Sequence, residues 1–193
     1  MINYDILMNT YNYSKSRFTK KYIFIFVIAV VSSWILHELA HWAVGEYLGY
    51  EMEMTLNGSY PLNGKYDRDL DYQFISAGGV IFTLFEATLV FVLMTFRNRI
   101  FLYPFLFTCF YMRLLATIIS LFNPNDEARI SDALGWGKFT LPLIVTGFLF
   151  ILVYRITKLY KFDIKFNLGN SGLVIIFSSV IILMDMFFKI RLL

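Results

Sequence analysis

Cysteine and histidine are scarce in this chain: one Cys, Cys109, and two His, His37 and His41, among 193 residues. A lone cysteine excludes structural disulfides within the chain. Two histidines leave a three-ligand metal site one ligand short. Charge is also sparse: charged residues make up 16% of the chain against 58% hydrophobic, with 21 Phe. Mean hydropathy is +0.61. That excess of apolar surface excludes an ordinary soluble domain. The net charge is only +3. The basic residues border the apolar runs, which suits lipid headgroups and gives no case for nucleic acid. Residues 1–19 are polar and aromatic, without the charged stub and short apolar core of a cleavable signal peptide. There is no internal repeat and no low-complexity segment.

What is present is a series of apolar runs of spanning length. Five are expected, at roughly 22–46, 74–96, 100–122, 139–156 and 172–188, near the ~17–25 residues a bilayer requires. The fold class expected is therefore an all-α, multi-pass integral membrane protein of about five transmembrane helices, placed in the cell membrane. It forms a single domain over 1–193, with an N-terminal extramembrane segment at 1–21 and additional spans at 137–193. The lipid bilayer is its first partner. Arg97-Asn98-Arg99 reads as a tight turn joining spans two and three. Between spans one and two, Tyr50 to Leu56 alternates polar and apolar residues, as a half-buried strand does. Asn57-Gly58 and Asn63-Gly64 are turn signals. A small β-hairpin or strand insert is expected there.

Loop charge suggests an orientation. Ten basic residues (Lys15, Arg17, Lys20, Lys21, Arg97, Arg99, Arg155, Lys158, Lys161, Lys165) fall on one side. Six (Lys65, Arg68, Arg129, Lys138, Lys189, Arg191) fall on the other. The excess places the N-terminus in the cytoplasm.

Both histidines belong to one motif, His37-Glu38-Leu39-Ala40-His41, toward the C-terminal end of the first run. Residues four apart share a helix face, so the two imidazoles can hold one zinc ion. Glu38 is rotated about 100° from them. At this spacing the glutamate acts as the general base. Ionisable groups are costly inside a span, so the trio reads as a functional site. The third ligand should be a carboxylate returning to the depth of the histidines. Asp126, Glu127 and Asp132 are the candidates. Glu86 and Arg113 lie deeper, at depths agreeing within about 5 Å at 1.5 Å rise per residue. They are expected to form a buried ion pair, with Glu86 as ligand the alternative.

These residues resemble the site-2 protease family of intramembrane zinc metalloproteases. That family carries HExxH in one span, a glycine motif at the start of the next, and an aspartate ligand two spans after the histidines. The matching positions are His37-Glu38-Leu39-Ala40-His41, Ala77-Gly78-Gly79, and Asp126 within Asp-Glu-Ala-Arg-Ile, which resembles the family's Asp-Gly-Gly-Arg-Ile. The resemblance covers about 22–136 as a catalytic core. It departs at Gly79, where the family has Pro, at Phe82, Ile118 and Leu121, and at Glu127, which replaces a glycine. Asn123-Pro124 stands in another register from the family's Asn and Pro. Asp132 therefore stays open as a rival ligand. The resemblance implies one zinc on His37, His41 and Asp126, with Glu38 catalytic and a transmembrane protein as substrate. Gly78 and Gly79, with no side-chain bulk, would either let the substrate backbone pass close to the site or serve tight helix packing alone, and Glu53, Met54 and Asn123 would contact that substrate. It also implies a site open to the cytoplasm, opposite to the charge count. Two other readings remain: a catalytically inactive metal- or partner-binding membrane protein of the same fold, and a metalloprotease with a glutamate ligand and a soluble-facing site. The second lacks the ExxxE-like helix it would need.

Overall fold

In the computed structural model, residues 18–97 and 99–193 are described; the N-terminal segment before them and Asn98 of the expected tight turn lie outside those bounds. The order is α1 (Lys20–Tyr47), β1 (Met52–Met54), β2 (Ser59–Pro61), α2 (Asp69–Arg97), a 3-10 turn (Ile100–Leu102), α3 (Tyr103–Ile119), α4 (Asp126–Ala133), α5 (Thr140–Leu159) and α6 (Ile164–Phe188). All but α4 among these helices are long and apolar enough to cross a membrane, with the 3-10 turn counted as the start of the third. Their outward faces carry large apolar side chains, such as Phe24, Ile81, Phe85 and Leu143, all exposed, as lipid contact requires.

Local signals set the helix limits. The Thr19 hydroxyl caps α1 by accepting from Tyr22 N. Pro104 occupies the first turn of α3, where its missing N–H costs nothing. Asp163 caps α6, its carboxylate accepting from Phe166 N at 2.7 Å. That cap starts the last span eight residues before the expected Gly172, giving a helix of 25 residues. The hydropathy run looked short because Asn167 and Asn170 interrupt it. Both are satisfied across the bundle, by donation from the Tyr103 and Tyr22 hydroxyls. A buried amide whose bonds are made is tolerated where an orphaned one is not.

The core lies where α1, α2, α3, α5 and α6 meet, around Phe26, Met94, Tyr103, Leu106, Leu149 and Val174. The short hairpin packs beside the C-terminal part of α1. Its antiparallel register pairs Met52 with Pro61 and Met54 with Ser59. Met52 and Met54 are buried and Glu53 is not, so the predicted alternation holds. Gly45 makes room for the Met52 side chain: a Cβ there would stand 2.5 Å from its sulfur. Further bonds pin the hairpin to α1, from Met52 N to the Glu46 carboxylate and from the Ser59 hydroxyl to Glu38 O.

Candidate metal centre

His37, Glu38 and His41 project from α1 into a buried cleft bounded by α2, α3, α4 and the hairpin loop, of about 370 Å³. His37 is 3% and His41 6% exposed. Each imidazole is held from behind by α2. His41 Nδ1 lies 2.6 Å from the Ile75 carbonyl. A carbonyl only accepts, so Nδ1 carries the proton and Nε2 presents a lone pair. The Thr83 hydroxyl donates to Gly79 O at 2.9 Å, so its oxygen accepts from His37 Nδ1 at 3.0 Å. His37 is thereby fixed in the same tautomer. Partners of this kind behind metal-binding imidazoles set both orientation and basicity.

The two Nε2 lone pairs stand 3.1 Å apart. Asp126 Oδ2, from the start of α4, lies 3.4 Å from His37 Nε2 and 3.5 Å from His41 Nε2. Three acceptor atoms so converge in a buried space, and among the described residues no donor reaches His41 Nε2. Acceptors facing one another in a buried site favour a cation between them; Arg113 donates to His37 Nε2 and Asp126 Oδ2 from one edge and leaves His41 Nε2 unserved. The three residues form a buried group able to hold a metal ion.

Asp126 is placed by its own helix. The Asn125 side chain caps α4, accepting from Asp126 N. Arg129, one turn on, bonds Asp126 Oδ1 at 2.6 Å, leaving Oδ2 to face the imidazoles. Arg129 also bonds the Ser76 hydroxyl and lies 4.9 Å over the Tyr72 ring, both on α2. The element that buttresses the histidines thus anchors the aspartate as well. Of the other candidate ligands, Asp132 is exposed and outside the group. Glu127 is buried but turned to Arg113 Nη1 at 3.1 Å.

Several expected contacts are corrected. Glu86 and Arg113 do not pair. The Glu86 carboxylate accepts from the Ser33 hydroxyl at 2.8 Å. Arg113 reaches Glu127, Asp126 and His37 instead. Equal depth said nothing about which way each helix face turns. Glu86 is no ligand either, since the group is His37, His41 and Asp126.

Gly78 and Gly79 are helix-packing positions rather than cleft surface. A Cβ on Gly78 would stand 2.9 Å from the Ala40 carbonyl oxygen of α1, and one on Gly79 would press into both imidazoles. Asn123 is exposed, and the cleft is lined by Asn125 instead. Glu53 and Met54 do not line it. The outer edge of β1 is already used: Met54 N donates to Leu193 O, Leu192 N donates to Met54 O at 2.8 Å, and Leu56 N donates to Asp185 Oδ1. Thr83, Arg129 and Arg113 were not foreseen as parts of the centre. Only Arg129 left a trace in the sequence, as the Arg of Asp-Glu-Ala-Arg-Ile.

The glycine contact yields a prediction. Gly79→Ala should lower metal content sharply, because the added methyl displaces both imidazoles. Overpacking of this kind costs about 1–3 kcal/mol, and metal analysis of the purified variant beside its thermal stability reads both effects. Full metal content in Gly79→Ala would contradict the packing described.

Comparison with known protein families, with curated proteins and with solved structures finds no match for this chain.

Proposed function

We propose that this protein is an intramembrane zinc metalloprotease of the site-2 protease kind, cutting a transmembrane protein substrate in or near its membrane-spanning segment. The observation that carries the reading is the triangle of His37 Nε2, His41 Nε2 and Asp126 Oδ2, with edges of 3.1, 3.4 and 3.5 Å. Tetrahedral zinc with bonds of about 2.0–2.1 Å sets neighbouring ligand atoms about 3.3–3.4 Å apart. Two imidazoles and one carboxylate, with a fourth position open, form a donor set that catalytic zinc uses. Such an ion, when bound, supplies Lewis acidity that makes water a nucleophile near neutral pH.

The side chains around it have separable tasks. Glu38, 7% exposed and lining the same cleft, is the base that takes a proton from the attacking water. It then returns that proton to the leaving amine. The hydrogen bond from the Ser59 hydroxyl to Glu38 O ties the hairpin to this turn of α1. Tyr66 lines the cleft, and burial pushes its phenol up to about 12, so it stays a neutral donor. Asn57 and Gly58, from the hairpin loop, form part of the wall.

The depth of the site along α1 supports a membrane-embedded substrate. α1 is 28 residues long, about 42 Å at 1.5 Å each, against a hydrocarbon thickness of about 30 Å. Its last turns therefore stand in the interface. His41 and His37 precede the helix end at Tyr47 by six and ten residues (47 − 41 and 47 − 37), about 9 and 15 Å. The site lies just inside the boundary, where water reaches it through the cleft. A substrate helix hides its carbonyls in its own hydrogen bonds and must unwind there. Gly or Pro introduced into a single-span substrate near that depth should speed cleavage, since unwinding then costs roughly 1–3 kcal/mol less. Cut sites mapped by mass spectrometry test this. Cuts confined to loops far from the membrane would rule the intramembrane reading out.

A further inference from the structure

Arg113 is a full cation in the third span, 4% exposed. A buried guanidinium in that setting needs a reason. Neutralising the metal-site aspartate is an insufficient one. Asp126 already has Arg129 at 2.6 Å, and Arg113 already has Glu127 at 3.1 Å. Each carboxylate has its own arginine. Arg113 is nevertheless turned so that Nη2 lies 3.2 Å from His37 Nε2, while Nη1 lies 3.5 Å from Asp126 Oδ2. The guanidinium thus sits against one edge of the ligand triangle and lines the cleft.

Its hydrogen-bond inventory is incomplete. Arg113 Nε is buried and has no partner among the described residues. Nε and Nη2 form one of the two forked faces that a guanidinium offers an anionic oxygen. Glu127 holds the other end through Nη1. The fork at the site therefore has one limb unused and one limb beside a ligand atom, on a side chain locked by an ion pair. That arrangement is a preorganised donor held at a buried site, where such donors are worth more than in bulk water.

We propose that Arg113 is a catalytic residue that binds the oxyanion formed during peptide hydrolysis, with Glu127 its positioning residue. This rests on the protease reading above. As the water oxygen bonds to the scissile carbonyl carbon, the carbonyl π pair moves onto oxygen, and Glu38 takes the water proton. The oxyanion accepts N–H bonds from Arg113, which neither gains nor loses a proton. When the C–N bond breaks, the electron pair returns from the oxyanion to re-form C=O. The amine nitrogen leaves with the proton from Glu38. Glu127, which stands where the site-2 protease family has glycine, and Arg113 in the preceding span then form one functional unit.

The test compares wild type, Arg113→Lys and the charge-balanced pair Arg113→Met with Glu127→Gln, each purified, loaded with zinc and given a single-span substrate. Loss of one preorganised donor costs about 10²–10³ in kcat. We expect that loss in the double variant and a smaller one in Arg113→Lys, with KM and one zinc per chain retained. A phosphinic peptide that mimics the tetrahedral state should bind more weakly in proportion to kcat/KM. A double variant within threefold of wild-type kcat would overturn the proposal while leaving the protease reading intact. So would a lowered zinc content, which makes Arg113 a structural support, or a tighter zinc affinity, which makes it the ion's competitor. A wild type that binds zinc and cleaves nothing defeats the protease reading itself.

Discussion

Glu38→Gln is expected to keep its zinc and lose peptidase activity by about 10²–10⁴-fold, the usual contribution of a positioned acid–base group. The amide has nearly the same shape and cannot take the water proton. Its neighbours should be undisturbed, because the ties of Glu38 to the hairpin run through its main-chain carbonyl, bonded by Ser59, and not through the carboxylate. Zinc retention separates a lost base from a collapsed site. Measured on purified protein, turnover at or near the wild-type rate would remove Glu38 from the mechanism.

The second large effect concerns the third ligand. Asp126→Ala should lower zinc affinity by more than the about 10–100-fold that loss of a supporting residue costs. Asp132→Ala should leave it unchanged. Arg129→Ala should fall between them, since Arg129 holds Asp126 Oδ1 and so aims Oδ2 at the histidines. Metal titration of the three variants gives the order. Zinc lost from Asp132→Ala and kept by Asp126→Ala would exchange the two roles.

The distance between sequence and structure is uneven, and its causes are physical. The helical membrane architecture was legible because spanning length and apolar composition are read directly from a hydropathy run. The hairpin was legible from period-two alternation, which reappears as buried Met52 and Met54 around Glu53. The start of α6 was not, because a polar residue scores as a break whether or not a partner satisfies it. Nothing near Asn170 in the chain announces the Tyr22 hydroxyl, 148 positions away.

At the metal centre, His37 and His41 were legible because helix periodicity fixes their shared face. Choosing among Asp126, Glu127 and Asp132 requires knowing which way α4 turns, and residue spacing alone does not say. The Glu86–Arg113 expectation failed for the same reason: rise per residue gives depth, while azimuth comes from packing. The sequence shows that Gly78 and Gly79 bring no side-chain bulk. Their use, admitting the imidazoles of α1 against α2, needed the helix pair itself.

The most direct test of the account is incubation of purified, zinc-loaded protein with a single-span substrate, followed by mass spectrometry of the products. The account predicts one zinc per chain and new termini within about 15 Å of the membrane boundary. Cleavage should stop with a chelator and return with zinc. One zinc per chain with an intact substrate, where the substrate is shown to bind, would contradict it and leave a metal-binding membrane protein without turnover.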